Sequence, residues 1–173
     1  MSVHLYFANN SVRNTTISCD SLGIHYTVSK AEKIVSLSRW DVTANSNVVV
    51  GEFELPSFRK DRIKVGPMGQ WQPMRNYFDK PGMFSTSMTF TSNNGMKYTW
   101  KEHHGHLIMT HSGNKNALIK YHRHVSKSSY LDVLDSSTMT GLDAILLTFL
   151  IAERKKRDND EAGGEIAEAV AGA

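Results

Sequence analysis

The sequence predicts a mainly β fold, in which an antiparallel sheet of about ten short strands encloses one apolar helix near the C-terminus. Three features carry that reading. Up to about Asp135, apolar and polar residues alternate with period two in short runs broken by Gly, Asn, Ser and Pro. Asn94-Gly95 stands between two such runs, the strongest short-range signal for a β-hairpin. From Leu142 the period becomes helical, with apolar residues on every side.

Leu22, Ile24, Tyr26 and Val28 alternate with Gly23, His25, Thr27 and Ser29, so one face of this run is buried. Val35 and Leu37 alternate with Ser36 and Ser38 in the same way. Val49, Gly51, Phe53 and Leu55 then face one side, and Glu52 and Glu54 the other. Residues 66–81 hold three of the four prolines and no clean period, which reads as a long loop with a helical turn. Met88 and Phe90 lead into the Ser92–Gly95 turn, and Met96, Tyr98 and Trp100 begin the returning strand. Further strands are expected through 107–110, 117–124 and 130–134.

Leu142, Ile145, Leu146 and Phe149 fall at i, i+3, i+4 and i+7, while Ala144, Leu147, Leu150 and Ile151 fill the opposite face. A helix apolar all round must be buried on most sides. Its apolar run, 144–152, is far shorter than the roughly 20 residues a bilayer requires. Thr140 with Asp143 three residues on suggests a capping box with Asp in place of Glu. The helix is placed at 141–157, ending in Arg154, Lys155, Lys156 and Arg157, cations that complement the helix dipole. Residues 1–157 read as one domain and the small, acidic stretch 158–173 as a disordered tail.

At 173 residues, the chain buries enough surface to hold a core without disulfides or metals. Its one cysteine, Cys19, excludes an intramolecular disulfide and reads as a small buried hydrophobe. No signal-peptide pattern or membrane span is seen, and an intracellular, cytoplasmic protein is expected. The net charge of +3 is mild and acids are interspersed among the bases, so no specific nucleic acid is expected as a partner. Neither a Gly-x-Ser-x-Gly elbow nor a phosphate-cradling glycine loop occurs, and no catalytic residue is assigned.

The segment Gly95-Met96-Lys97-Tyr98-Thr99-Trp100-Lys101, the strand ending at Tyr121, Leu142-Asp143, Thr148-Phe149 and the basic end Glu153-Arg154-Lys155-Lys156-Arg157 carry a family resemblance. Over about residues 84–157 the chain resembles a large group of small basidiomycete fungal proteins. That group is placed with the tubby C-terminal-like fold, beside LURP-one-related and phospholipid-scramblase proteins. Residues 1–80 match only in strand rhythm. The resemblance implies a closed antiparallel β-barrel of about 10–12 strands with the C-terminal helix threaded through it. Relatives of that fold bind phosphoinositides or bilayers, or act in defence signalling. The resemblance carries over no catalytic residues.

Three constellations are candidates for function. Arg59, Lys60, Arg62 and Lys64 form one basic cluster, and Arg154, Lys155, Lys156 and Arg157 a second. In a barrel with a threaded helix, the two would flank one mouth and hold the phosphates of a phosphoinositide or an anionic membrane surface. That makes the leading expectation a non-enzymatic binding module without a cofactor. Six of the eight histidines lie between 103 and 124; His104, His106, His122 and His124 are paired by strand alternation and could ligate zinc or copper. Exposed surface histidines are the simpler account, since Ala117, Ile119 and Tyr121 mark the inward face. Trp71, in the irregular loop, would serve a third alternative, a cytoplasmic defence protein or lectin.

Overall fold

The computed structural model describes residues 2–55, 60–79 and 86–171, with side chains as far as Gly163. Twelve strands form one antiparallel sheet. The first half of the chain supplies β1 (Val3–Phe7), β2 (Thr15–Cys19), β3 (Ile24–Ala31), β4 (Ile34–Asp41), β5 (Ser46–Glu54), β6 (Arg62–Val65) and β7 (Gln72–Pro73). A single helical turn, α1 (Met74–Tyr77), follows β7. The second half supplies β8 (Met88–Thr91), β9 (Lys97–His103), β10 (His106–His111), β11 (Ala117–His122) and β12 (Tyr130–Val133). A 3₁₀ segment, Ser136–Gly141, then leads into the long helix α2 (Leu142–Ala171).

The strand order is β7-β6-β5-β4-β3-β2-β1-β12-β11-β10-β9-β8. Every neighbour pair is consecutive in the chain except β1–β12, which joins the two ends of the strand series in the middle of the sheet. Among the described residues β7 and β8 do not pair, so the sheet has two edges and is not a closed barrel. Local chemistry explains this seam. Pro73 has no N–H to donate to a ladder. Beyond it the chain coils into α1 and returns through Asp79, whose N–H is spent on the Thr89 carbonyl at 2.8 Å. The hairpin read from Asn94-Gly95 is present, with Gly95 at φ 76°, a conformation glycine adopts without strain.

The helix sits against the inner face of this sheet. Ile145, Leu146, Leu147, Phe149, Leu150 and Ile151 are each fully buried. Phe149 touches Phe7 from β1, Trp100 from β9 and Tyr121 from β11, with ring centroids 4.8–5.6 Å away. On the opposite side β5 comes so close that a Cβ on Gly51 would lie 2.4 Å from Leu147 Cδ2. Within the apolar run 144–152, Thr148 accepts the Trp100 indole N–H at 3.0 Å and donates to the Ala144 carbonyl at 2.9 Å, so both groups are satisfied away from water.

Two expectations about this helix are corrected. Thr140 does not cap it; Asp135 caps the preceding 3₁₀ segment by accepting the Ser137 N–H, and Asp143 is engaged with Tyr26 and Arg39. Nor does it stop at Arg157, where a disordered tail was expected, but continues to Ala171. Arg154–Asp158 and Lys156–Asp160 pairs one turn apart carry it through the acidic stretch. Glu and Ala, strong helix formers, recur beyond it.

Candidate functional site

At the seam between β7 and β8, beside the middle of α2, lies a cleft of about 720 Å³. Its floor is apolar. Met74 and Phe78 come from the α1 turn, Met88 from β8, Trp100 from β9, Leu107 from β10 and Ala152 from α2. Its rim is charged, with cations at Lys60, Arg75, Lys155 and Lys156 facing carboxylates at Asp61, Asp79, Glu102 and Asp160.

Most of these charges neutralise one another. Lys155 Nζ meets Asp61 at 2.6 Å, and Asp79 is taken by Lys97 at 2.8 Å. Lys156 meets Asp160 at 2.8 Å and lies 3.9 Å from Glu102. The hydrogen bond to Asp160 outweighs partial burial and raises the Lys156 pKa, so this ammonium is held protonated. Among the described residues no acid pairs with Lys60 or Arg75, both of which are exposed. The cleft therefore offers an apolar floor and two uncompensated cations at its rim.

The Lys155–Asp61 contact brings together the two basic clusters read from the sequence, but only some of their members share the cleft. Lys60, Lys155 and Lys156 line it. Arg62 and Lys64 sit opposite Glu54 and Glu52 in the β5–β6 register and pair with them at 2.8 and 2.9 Å. Arg154 is engaged with Asp158. Arg157 bonds the nearly buried Glu153, the Asn10 carbonyl and the Tyr121 hydroxyl, tying the helix to the loop after β1. Arg59 lies outside the described residues. The seven described cations thus do not line one cleft together, because pairing between adjacent strands and turns neutralises most of them. Sequence reasoning missed Arg75 and the floor residues Met74 and Phe78, since no periodic pattern marks residues on an irregular crossing; Met88 was read as a strand residue but not as part of a site.

The histidines divide. His104 occupies the β9–β10 turn at φ 50°, with its ring against His103. His106, His122 and His124 lie on the outer face around Tyr130. Among the described residues no three His, Cys, Asp or Glu side chains are grouped to hold a metal ion. Trp71 is half-buried, and the Arg62 guanidinium lies 5.1 Å from its ring centroid, so it is not the open stacking surface a sugar site would need. No helix among the described residues is long and apolar enough to cross a membrane.

Fold and cleft together define a β-sheet protein packed around a central helix, with one seam that opens onto its core. The chain belongs to a family of unknown function, DUF6593, whose model matches residues 10–158. No curated protein and no solved structure matches it.

Proposed function

We propose that the chain is a non-enzymatic binding module that takes an anionic amphiphile into the seam cleft, apolar body on the floor and acidic head at Lys60 and Arg75. Phosphoinositides and other acidic lipids are of this class. The observation that carries the reading is the pairing of an apolar floor with two rim cations that have no acid partner among the described residues. Pockets that bind small ligands are typically concave and mostly apolar, with a few placed polar groups. Under this reading the sheet is a barrel opened at one seam. The cyclic strand order and the helix packed inside it support that view and, with it, kinship to tubby-like domains.

Thermal unfolding tests the proposal. A short-chain phosphatidic acid or phosphoinositide at a hundred times its dissociation constant should raise the melting temperature by about 5–10 °C. Inositol phosphate, which carries the head without the chain, should raise it less. Lys60→Glu with Arg75→Glu should abolish the lipid shift while leaving the unliganded melting temperature near that of the wild type, because both side chains are exposed. Equal shifts in wild type and the double variant would sink the assignment.

A further inference from the structure

Strand register sorts charges that the linear sequence intersperses. On the outer face of β9–β12 and β1, Lys101, Ile108, Lys120, Asp132 and His4 are successive cross-strand neighbours. The adjacent row runs His122, Tyr130, Tyr6, Ser18 and His25, and the His106 ring lies 6.3 Å from that of His122. Tyr130 is the hub. His122 stacks on it at 4.6 Å and His124 at 5.9 Å, while His4 and Tyr6 approach at 4.9 and 5.7 Å. Tyr6 ends this cluster with 48% of its surface exposed.

The face is cationic as well as ring-rich. Its carboxylate, Asp132, lies 3.4 Å from His4 Nε2, close enough for attraction but not aligned as a hydrogen bond. Among the described residues no acid pairs with Lys101 or Lys120; Lys101 reaches only the Asn114 carbonyl, at 3.5 Å. Cations without counter-charges, interleaved with open π-faces, are what a flexible polyanion carrying flat bases requires. An anionic bilayer would be better served by aliphatic side chains free to insert. Ile108, the aliphatic member of the first row, is only 5% exposed.

We infer that this face binds single-stranded nucleic acid, with phosphates on Lys101 and Lys120 and a base stacked on Tyr6. The site is separate from the seam cleft and does not depend on what that cleft binds. The charged and titratable groups around Tyr130 are His4 and Tyr6 from β1, Asp132 from β12, Lys120, His122 and His124 from β11 and the chain just after it, and His106 from β10. Four of them are imidazole rings, which add flat surface beside the cations.

Fluorescence anisotropy of a labelled oligothymidylate of about 20 nucleotides, titrated with the full chain, tests the inference. Raising salt from about 50 to about 200 mM should weaken binding about tenfold. Tyr6→Ala should weaken it about tenfold through lost stacking. Lys120→Glu should weaken it further and flatten the salt dependence, and both variants should melt close to wild type because the replaced side chains are exposed. Tyr6→Ala binding as tightly as wild type would overturn the inference. So would heparin or phosphatidylserine vesicles binding as tightly as the oligonucleotide, since the face would then recognise charge alone.

Discussion

The two ends of the buried run of α2 are built differently. At its N-terminal end the Tyr26 hydroxyl donates to Asp143 at 2.5 Å, and Arg39 closes on the same carboxylate at 3.1 Å. A small recess of about 250 Å³ lies there, lined largely by polar groups. Burial, reinforced by Asp143, pushes the Tyr26 phenol far above its ordinary range, so it stays a hydrogen-bond donor throughout the accessible pH range. At the C-terminal end the charges sit on long side chains around an apolar cleft of about 720 Å³. Lys155 and Asp61 are each more than 30% exposed, so water screens their attraction. The first end fixes the helix in the sheet. The second, held by Arg157 to Glu153, Asn10 and Tyr121, leaves on its other side an opening bounded by exposed ion pairs, as ligand sites often do.

Substitutions along the helix put that contrast at risk. Phe149→Asp, at the waist between the two ends, should prevent folding outright, because a carboxylate would replace a ring packed among Phe7, Trp100 and Tyr121. A cooperative melting transition in that variant would show that the core is far looser than its packing indicates. Asp143→Ala at the N-terminal end should cost about 1–3 kcal/mol in urea unfolding, since it leaves the buried Tyr26 hydroxyl without its acceptor. Lys155→Met at the other end should cost less than about 1 kcal/mol. If the two costs came out equal, the distinction between a locked end and an adaptable one would fail.

The smallest effect concerns the outer face. Burial pushes the His122 imidazole below its ordinary value of 6.5; His106, His124 and Lys120 add to the lowering and Asp132 opposes it. The folded state therefore keeps this ring neutral while the unfolded chain takes up a proton. Its contribution is complete above about pH 6.5 and is lost progressively as pH falls through that value toward the lowered one. Denaturation midpoints at about pH 7.5 and about pH 5.5 should differ more in wild type than in His122→Gln. Identical differences would show that His122 is not a source of the acid sensitivity.

Much of the fold was legible because its signals are local. Alternation at Tyr26 and Val28 and at Val35 and Leu37 marked strands whose inward faces are buried as read. The burial of α2 followed from apolar residues on all its sides. The candidate site was only partly legible. Lys60, Lys155 and Lys156 were found as members of basic runs, whereas Arg75, Met74 and Phe78 lie on an irregular crossing with no period to mark them. The histidine density was visible too, but not its pattern: His4, about a hundred residues from the main cluster, joins it only because β1 pairs with β12.

By itself, then, the sequence determined that short amphipathic strands must enclose a helix with no solvent-tolerant face, because hydrophobic period and turn chemistry act within a few residues. Only the tertiary structure decided which charges survive as free charges. Glu52 and Glu54 neutralise Lys64 and Arg62 through strand register, and Asp61 meets Lys155 across 94 positions of chain. It also decided where the sheet stays open, since β7 and β8 are consecutive in the chain yet unpaired among the described residues. Electrostatic pairing and edge closure depend on distances in space, and the order of residues along the chain does not encode those distances locally.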